Sequence, residues 1–180
     1  MKKKDEKYLY DLFVRYSILI IIALFGFNVF YVIFRPLTVY SVTGILSIFL
    51  ETDLISPTIL ILENIAIEFI PACIAGAAYY LLLMLNLSTP IIELNKRIKF
   101  ILISFAVFLI ANVLRIFILA NIALYRSSFF DVTHLVFWYS LSTIFVIVIW
   151  FYGVKYFKVK SIPFYSDLRF LYKKSSLSKK

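Results

Sequence analysis

Residues 100–125 read FILISFAVFLIANVLRIFILANIALY, and this stretch decides the fold class. Twenty-six residues of almost unbroken apolar character, about 39 Å as a helix, exceed the ~30 Å hydrocarbon core of a bilayer. The stretch predicts a long transmembrane span, with Asn112, Arg115 and Asn121 inside it. Lys96, Arg97 and Lys99 lie just before it and mark its near end as cytoplasmic, because short loops on that side retain lysine and arginine.

Working outward, the whole chain repeats that character. Of its 180 residues, 63% are hydrophobic and 19% aromatic, and the mean hydropathy is +0.95. A water-soluble domain of this length has too little polar surface to cover such an excess. The net charge of +9 could suggest nucleic acid, but the basic residues sit at the ends of apolar runs and in the two tails. That distribution reads as membrane topology, so no nucleic-acid partner is expected. One cysteine excludes an internal disulfide, one cysteine with one histidine is too few for a zinc site, and no glycine-rich phosphate loop is present. No metal or cofactor is expected.

Met1 to Arg15 is a charged, cytoplasmic start, and Ser17 to Phe34 is the first span. This run is longer than a signal-peptide core and lacks a small-residue cleavage site, so it reads as a retained anchor ending outside the cell at Arg35-Pro36. Leu37 to Leu50 is too short to cross and predicts a re-entrant or interfacial segment. Glu51 and Asp53 follow with no lysine or arginine nearby, which fits the outer side. Thr58 to Ile70 carries two short β-branched runs around Glu63-Asn64, a pattern for a small two-strand hairpin at the outer surface, where Glu63 and Glu68 are surface residues. Ile74 to about Leu87 returns inward, 100–125 goes out again, 126–133 is an outer loop, and Leu135 to Tyr152 is the last inward span.

The expected fold is therefore an all-α polytopic membrane protein with a small extracytoplasmic β-hairpin before Cys73. It has four spans, or six if Leu37–Leu50 and Leu54–Ala72 also cross. Parity is the same either way. Residues 1–160 make one transmembrane domain and 161–180 a basic cytoplasmic tail.

Three polar residues fall at one level of this topology. Cys73 opens its span at the outer face, His134 opens the last span there, and Arg115 lies sixteen residues beyond Lys99, about 24 Å up from the cytoplasmic end. A lone membrane cysteine is usually a packing residue, and a histidine at a helix start is as often an interfacial anchor. A guanidinium inside a span, however, costs about 2.5–3.5 kcal/mol on insertion scales and marks a paired or functional site. Together the three supply a nucleophile, an acid/base near neutral pH and a fixed cation for a developing oxyanion. Asn112, one turn before Arg115, shares its face and could orient the guanidinium; Asp131 could orient His134.

Pro71-Ala72-Cys73 entering a span with Gly76 close behind, Asn112-Val113-Leu114-Arg115-Ile116 in a later span, and His134 opening the last one resemble the exosortase and archaeosortase family of membrane transpeptidases. The likeness runs over roughly residues 55–151, and the short chain is most like the small archaeal branch. Family members commonly carry serine or threonine and then glycine straight after the cysteine, where this chain has Ile74-Ala75-Gly76. The resemblance implies cleavage of exported proteins that bear a C-terminal motif, a transmembrane helix and a basic cluster, with transfer of the new C-terminus to an acceptor, a lipid by expectation. It assigns Cys73 as nucleophile, His134 as acid/base and Arg115 as oxyanion or substrate-orienting cation. The competing expectation is a small membrane subunit of a transporter in which Arg115 holds an anionic ligand.

Overall fold

The computed structural model describes residues 3–62, 65–125, 132, 135–136 and 142–174. It is mostly helical, with one small sheet. The elements are α1 (Lys3–Leu24), α2 (Asn28–Leu46), β1 (Thr52–Ser56), β2 (Ile59–Leu62), β3 (Ile65–Glu68), α3 (Pro71–Ile74), α4 (Gly76–Leu87), α5 (Leu94–Leu124), α6 (Ser142–Tyr156) and α7 (Tyr165–Lys174).

The first apolar run is not one helix. Gly26 takes φ +68°, a conformation that side chains with a Cβ rarely adopt, and it breaks the run between α1 and α2. Nor does a helix end at Arg35-Pro36, because α2 passes through Pro36 and continues to Leu46. A proline inside a helix removes one backbone donor and crowds the preceding turn. Here the packing of Phe34 before it and of Val39, Val42 and Leu46 after it holds the helix together. The expected re-entrant segment at 37–50 is therefore mostly the second half of α2.

The sheet is the expected hairpin enlarged by one strand. β2 and β3 form the anticipated antiparallel hairpin, with Ile59 opposite Glu68 and Leu62 opposite Ile65. β1 adds a third antiparallel strand in the order β1-β2-β3. The sequence reading placed Glu51 and Asp53 on the outer side and expected no strand there; pairing along β2 makes Thr52–Ser56 one. Leu60 and Leu62 alternate inward and are fully buried with Val42 and Leu46 of α2 and Val113 and Ile116 of α5. This cluster fixes the sheet on one end of the α2–α5 pair.

Contacts along the helices set their directions. Going up α1 and α2, Arg15 meets Leu87, Leu19 meets Tyr80, Phe34 stacks on Tyr79 at 3.6 Å and Tyr31 lies against Gly76, so α4 runs antiparallel to both. Arg97 reaches the Asn86 carbonyl while Asn112 reaches that of Cys73, so α5 turns back again. Phe100 stacks on Trp150 and on Phe157, which brings the end of α6 to the start of α5. Tyr79, with no exposed surface, stands edge-on to Phe105 and Phe108 at the centre.

Around the apolar core, several polar side chains are enclosed while large apolar ones face outward. Arg97, Asn86, Asn112 and Arg115 are buried, whereas Val32 and Leu37 of α2, Leu102 and Ile110 of α5, and Ile147 and Phe151 of α6 are exposed. Two helices, α2 and α5, are long and apolar enough to cross a membrane, with mean hydropathies of 1.5 and 2.5. Pro71–Leu87 and Thr143–Tyr156 are shorter apolar stretches.

Within the expected basic tail, residues 165–174 form α7 and pack on the first half of α1. Asp167 is buried beneath an ion pair with Arg15 (Nη2 to Oδ1, 3.0 Å) and accepts from the hydroxyls of Tyr8 and Tyr16. Arg15 also donates to the Leu87 carbonyl, and Arg97 donates to that of Asn86. Two guanidinium groups thus close the C-terminal end of α4, where carbonyls lack helical partners and the helix dipole favours cations.

Candidate functional site

The chain reaches the site from the sheet. The Phe69 amide donates to the Thr58 carbonyl, Ile70 is extended, and Pro71 begins α3 at a position where its missing N–H costs nothing. Cys73 lies in this single turn, its amide donating to the Ile70 carbonyl at 2.9 Å. Ala75 then takes a left-handed conformation, φ 58°, and α4 restarts from the Ala75 carbonyl, which accepts from Tyr79. Cys73 therefore sits on a turn set off from α4 rather than at the first residue of a continuous span.

That break shapes the chemistry around Cys73. Its carbonyl oxygen accepts two side-chain bonds from α5, one from Asn112 Nδ2 at 2.8 Å and one from Arg115 Nη2 at 3.3 Å. Asn112 is 2% exposed and Arg115 8%, and both occupy the buried face of α5 at a spacing of three residues. The expected service of Asn112 to the guanidinium is thus indirect, since the two donors share one acceptor. The thiol-bearing residue is half-buried, against the α2–α5 cluster.

Beside this turn is a cavity of about 270 Å³. Pro71 and Ala72 of α3, Tyr31 of α2, Arg115 of α5, and Thr143 and Val146 of α6 are among its lining residues. The Tyr31 ring packs so closely that a Cβ added at Gly76 would stand 2.9 Å from it. Any larger residue at 76 would have to push the Tyr31 ring aside.

Of the residues singled out in the sequence, Cys73, Asn112 and Arg115 are brought together. His134 and Asp131 lie outside the described residues, as does Glu63, while Glu68 ends β3. The sequence reading missed Tyr31 and Thr143. Both belong to otherwise ordinary apolar helices, and only Gly76 carried a signal, as a small residue where another side chain must approach. It also took Arg97 as a topology marker, although that side chain is buried on α4.

Comparison of the chain with protein-family models, with curated proteins and with solved structures gave no match.

Proposed function

We propose that this chain is a membrane-embedded cysteine transpeptidase with its site on the extracytoplasmic side, of the kind the exosortase and archaeosortase likeness implies. The single observation that carries the reading is the convergence of Asn112 and Arg115 on the backbone of Cys73. A guanidinium buried in an apolar helix is costly, and its direction toward the only cysteine in the sequence gives that cost a purpose. The outward apolar faces and inward polar groups support a bilayer around the helices. In this reading α1–α2, α3–α4, α5 and α6 cross four times, both termini are cytoplasmic, and the sheet stands outside.

The reaction runs in two steps. The Cys73 thiolate attacks the scissile carbonyl of an exported protein's tail, the oxyanion is held by Arg115, and collapse releases the tail as an amine that takes its proton from His134. A nucleophilic acceptor, lipid-borne in the family likeness, then gives a proton to His134 and displaces the thiol from the thioester. Asn112 holds the Cys73 turn against α5.

The test is processing of a co-expressed tailed protein by Cys73→Ala, Arg115→Ala and His134→Ala variants, followed by mass spectrometry of the new C-terminus. All three should stop cleavage; undiminished cleavage by Cys73→Ala removes the mechanism. A second reading, an anion-binding transporter subunit, draws on the position of Arg115 in the cavity wall. It predicts small-anion binding that needs Arg115 and survives loss of Cys73.

A further inference from the structure

α7 has three faces. Asp167, Phe170 and Lys174 face α1, where Asp167 pairs with Arg15, Phe170 packs on Tyr8 with ring centroids 4.1 Å apart, and Lys174 bonds to Asp5. On the opposite side Tyr165, Leu168 and Tyr172 form a stripe at i, i+3 and i+7, and they are 56%, 64% and 61% exposed. Arg169 and Lys173 flank that stripe, both exposed, and Lys155, Lys158 and Lys160 precede the helix, exposed as well.

A short helix with an apolar stripe beside a row of cations, and with its third face fixed to the protein, matches the physics of an interfacial helix on an anionic leaflet. We infer that the Tyr165–Leu168–Tyr172 stripe of α7 docks flat on the acidic phospholipid surface of the cytoplasmic leaflet, with Arg169 and Lys173 at the headgroups. The inference rests on the membrane reading above. Its occupant follows from charge complementarity, since Arg169 and Lys173 stand exposed beside the apolar stripe and the one carboxylate of α7, Asp167, is turned away and buried against α1.

Two further features fit a helix lying along the surface. α1, to which α7 is fixed, exposes Tyr10 and Phe13 on the same stripe as Ile20 and Leu24, as a helix entering lipid obliquely would. The start of α7 is also held at the end of α4, where the Phe164 amide donates to the Ser88 carbonyl at 3.0 Å. The helix therefore begins at the level where the apolar helices end.

The experiment uses the full chain in a Cys73→Ala background, reconstituted in vesicles of zwitterionic lipid with or without phosphatidylglycerol. A fluorophore is attached through Tyr165→Cys, Leu168→Cys, Tyr172→Cys or Val107→Cys, and brominated lipid is the quencher. Val107 lies on the exposed face of α5 and reports the membrane reading independently. The expected result is quenching at all three α7 positions, about twofold stronger with acidic lipid and reduced to the zwitterionic level by Arg169→Glu with Lys173→Glu.

Quenching at 107 without quenching at 168 overturns the inference and leaves the membrane reading standing. A label at 168 shielded from both lipid and aqueous iodide indicates a protein partner or a second copy and overturns it too. Quenching that fades from 165 to 172 describes a helix standing away from the bilayer, which also sinks it. No quenching at 107 removes the membrane reading itself.

Discussion

Asn112 donates to the carbonyl of Cys73 at 2.8 Å, so the middle of α5 is fastened to the turn that carries the only thiol in the sequence. The same oxygen accepts from Arg115, and the left-handed Ala75 lets the turn face α5 instead of continuing into α4. The geometry at Cys73 is consequently a property of two helices that are far apart in the chain.

Removing the Asn112 donor while keeping its volume should loosen the turn without deleting any reacting group. Asn112→Leu is expected to lower substrate processing by about 10- to 100-fold, since a displacement of ~1 Å at a reacting group is worth that much. The readout is the cleavage rate of a tailed substrate, with thiol alkylation by a small reagent as a check that Cys73 is still present and reachable. An unchanged rate would leave the Asn112 bond purely structural.

Arginine and lysine should differ at position 115. The guanidinium reaches Cys73 through one of several fixed N–H groups, whereas an ammonium is a compact point charge on a flexible stem. Arg115→Lys is expected to lose about 100-fold in processing while the protein stays folded, as judged by its elution from a sizing column. Activity retained within a few-fold would argue that charge alone suffices.

Gly76 and Tyr31 should compensate for one another. A methyl group at 76 meets the Tyr31 ring at 2.9 Å, and the ring is the far end of a side chain that can shift into the cavity it lines. Gly76→Ala should reduce processing by about tenfold with little change in thermal stability, and Gly76→Ala combined with Tyr31→Leu should recover most of it. Failure of the double variant to recover would disconnect the cavity from the reaction.

The Arg15–Asp167 pair, both side chains 3% exposed, joins the two ends of the chain. Arg15→Met alone leaves a buried carboxylate and should cost about 3–5 kcal/mol, seen as a lower melting temperature in detergent. Adding Asp167→Leu removes the uncompensated charge, and the double variant should melt above the single one. A double variant no more stable than Arg15→Met would mean that the hydroxyls of Tyr8 and Tyr16 satisfy Asp167 by themselves.

Topology is tested by the native thiol. An impermeant maleimide added to intact cells should label Cys73 from outside, and labelling seen only after the membrane is opened would invert the proposed orientation.

Residues 100–125 announced a long helix by their length and hydropathy, and α5 covers all of them but Tyr125, its C-cap. The β-branched runs on either side of residues 63–64 announced the hairpin through strand periodicity. Cys73 and Arg115 could be matched by counting residues along spans, which gives depth but not direction around a helix axis. Three things lay beyond such counting. The passage of α2 through Pro36 depends on packing against α4 and α5, and the break at Gly26 on a left-handed φ that the hydropathy pattern does not register. Strand β1 exists because β2 offers it an edge. The meeting of Asn112 and Arg115 at one carbonyl needs the left-handed turn at Ala75. Local pattern set which segments are apolar and how long they are; tertiary contact, which pairs residues distant in the chain, decided which way each polar group points.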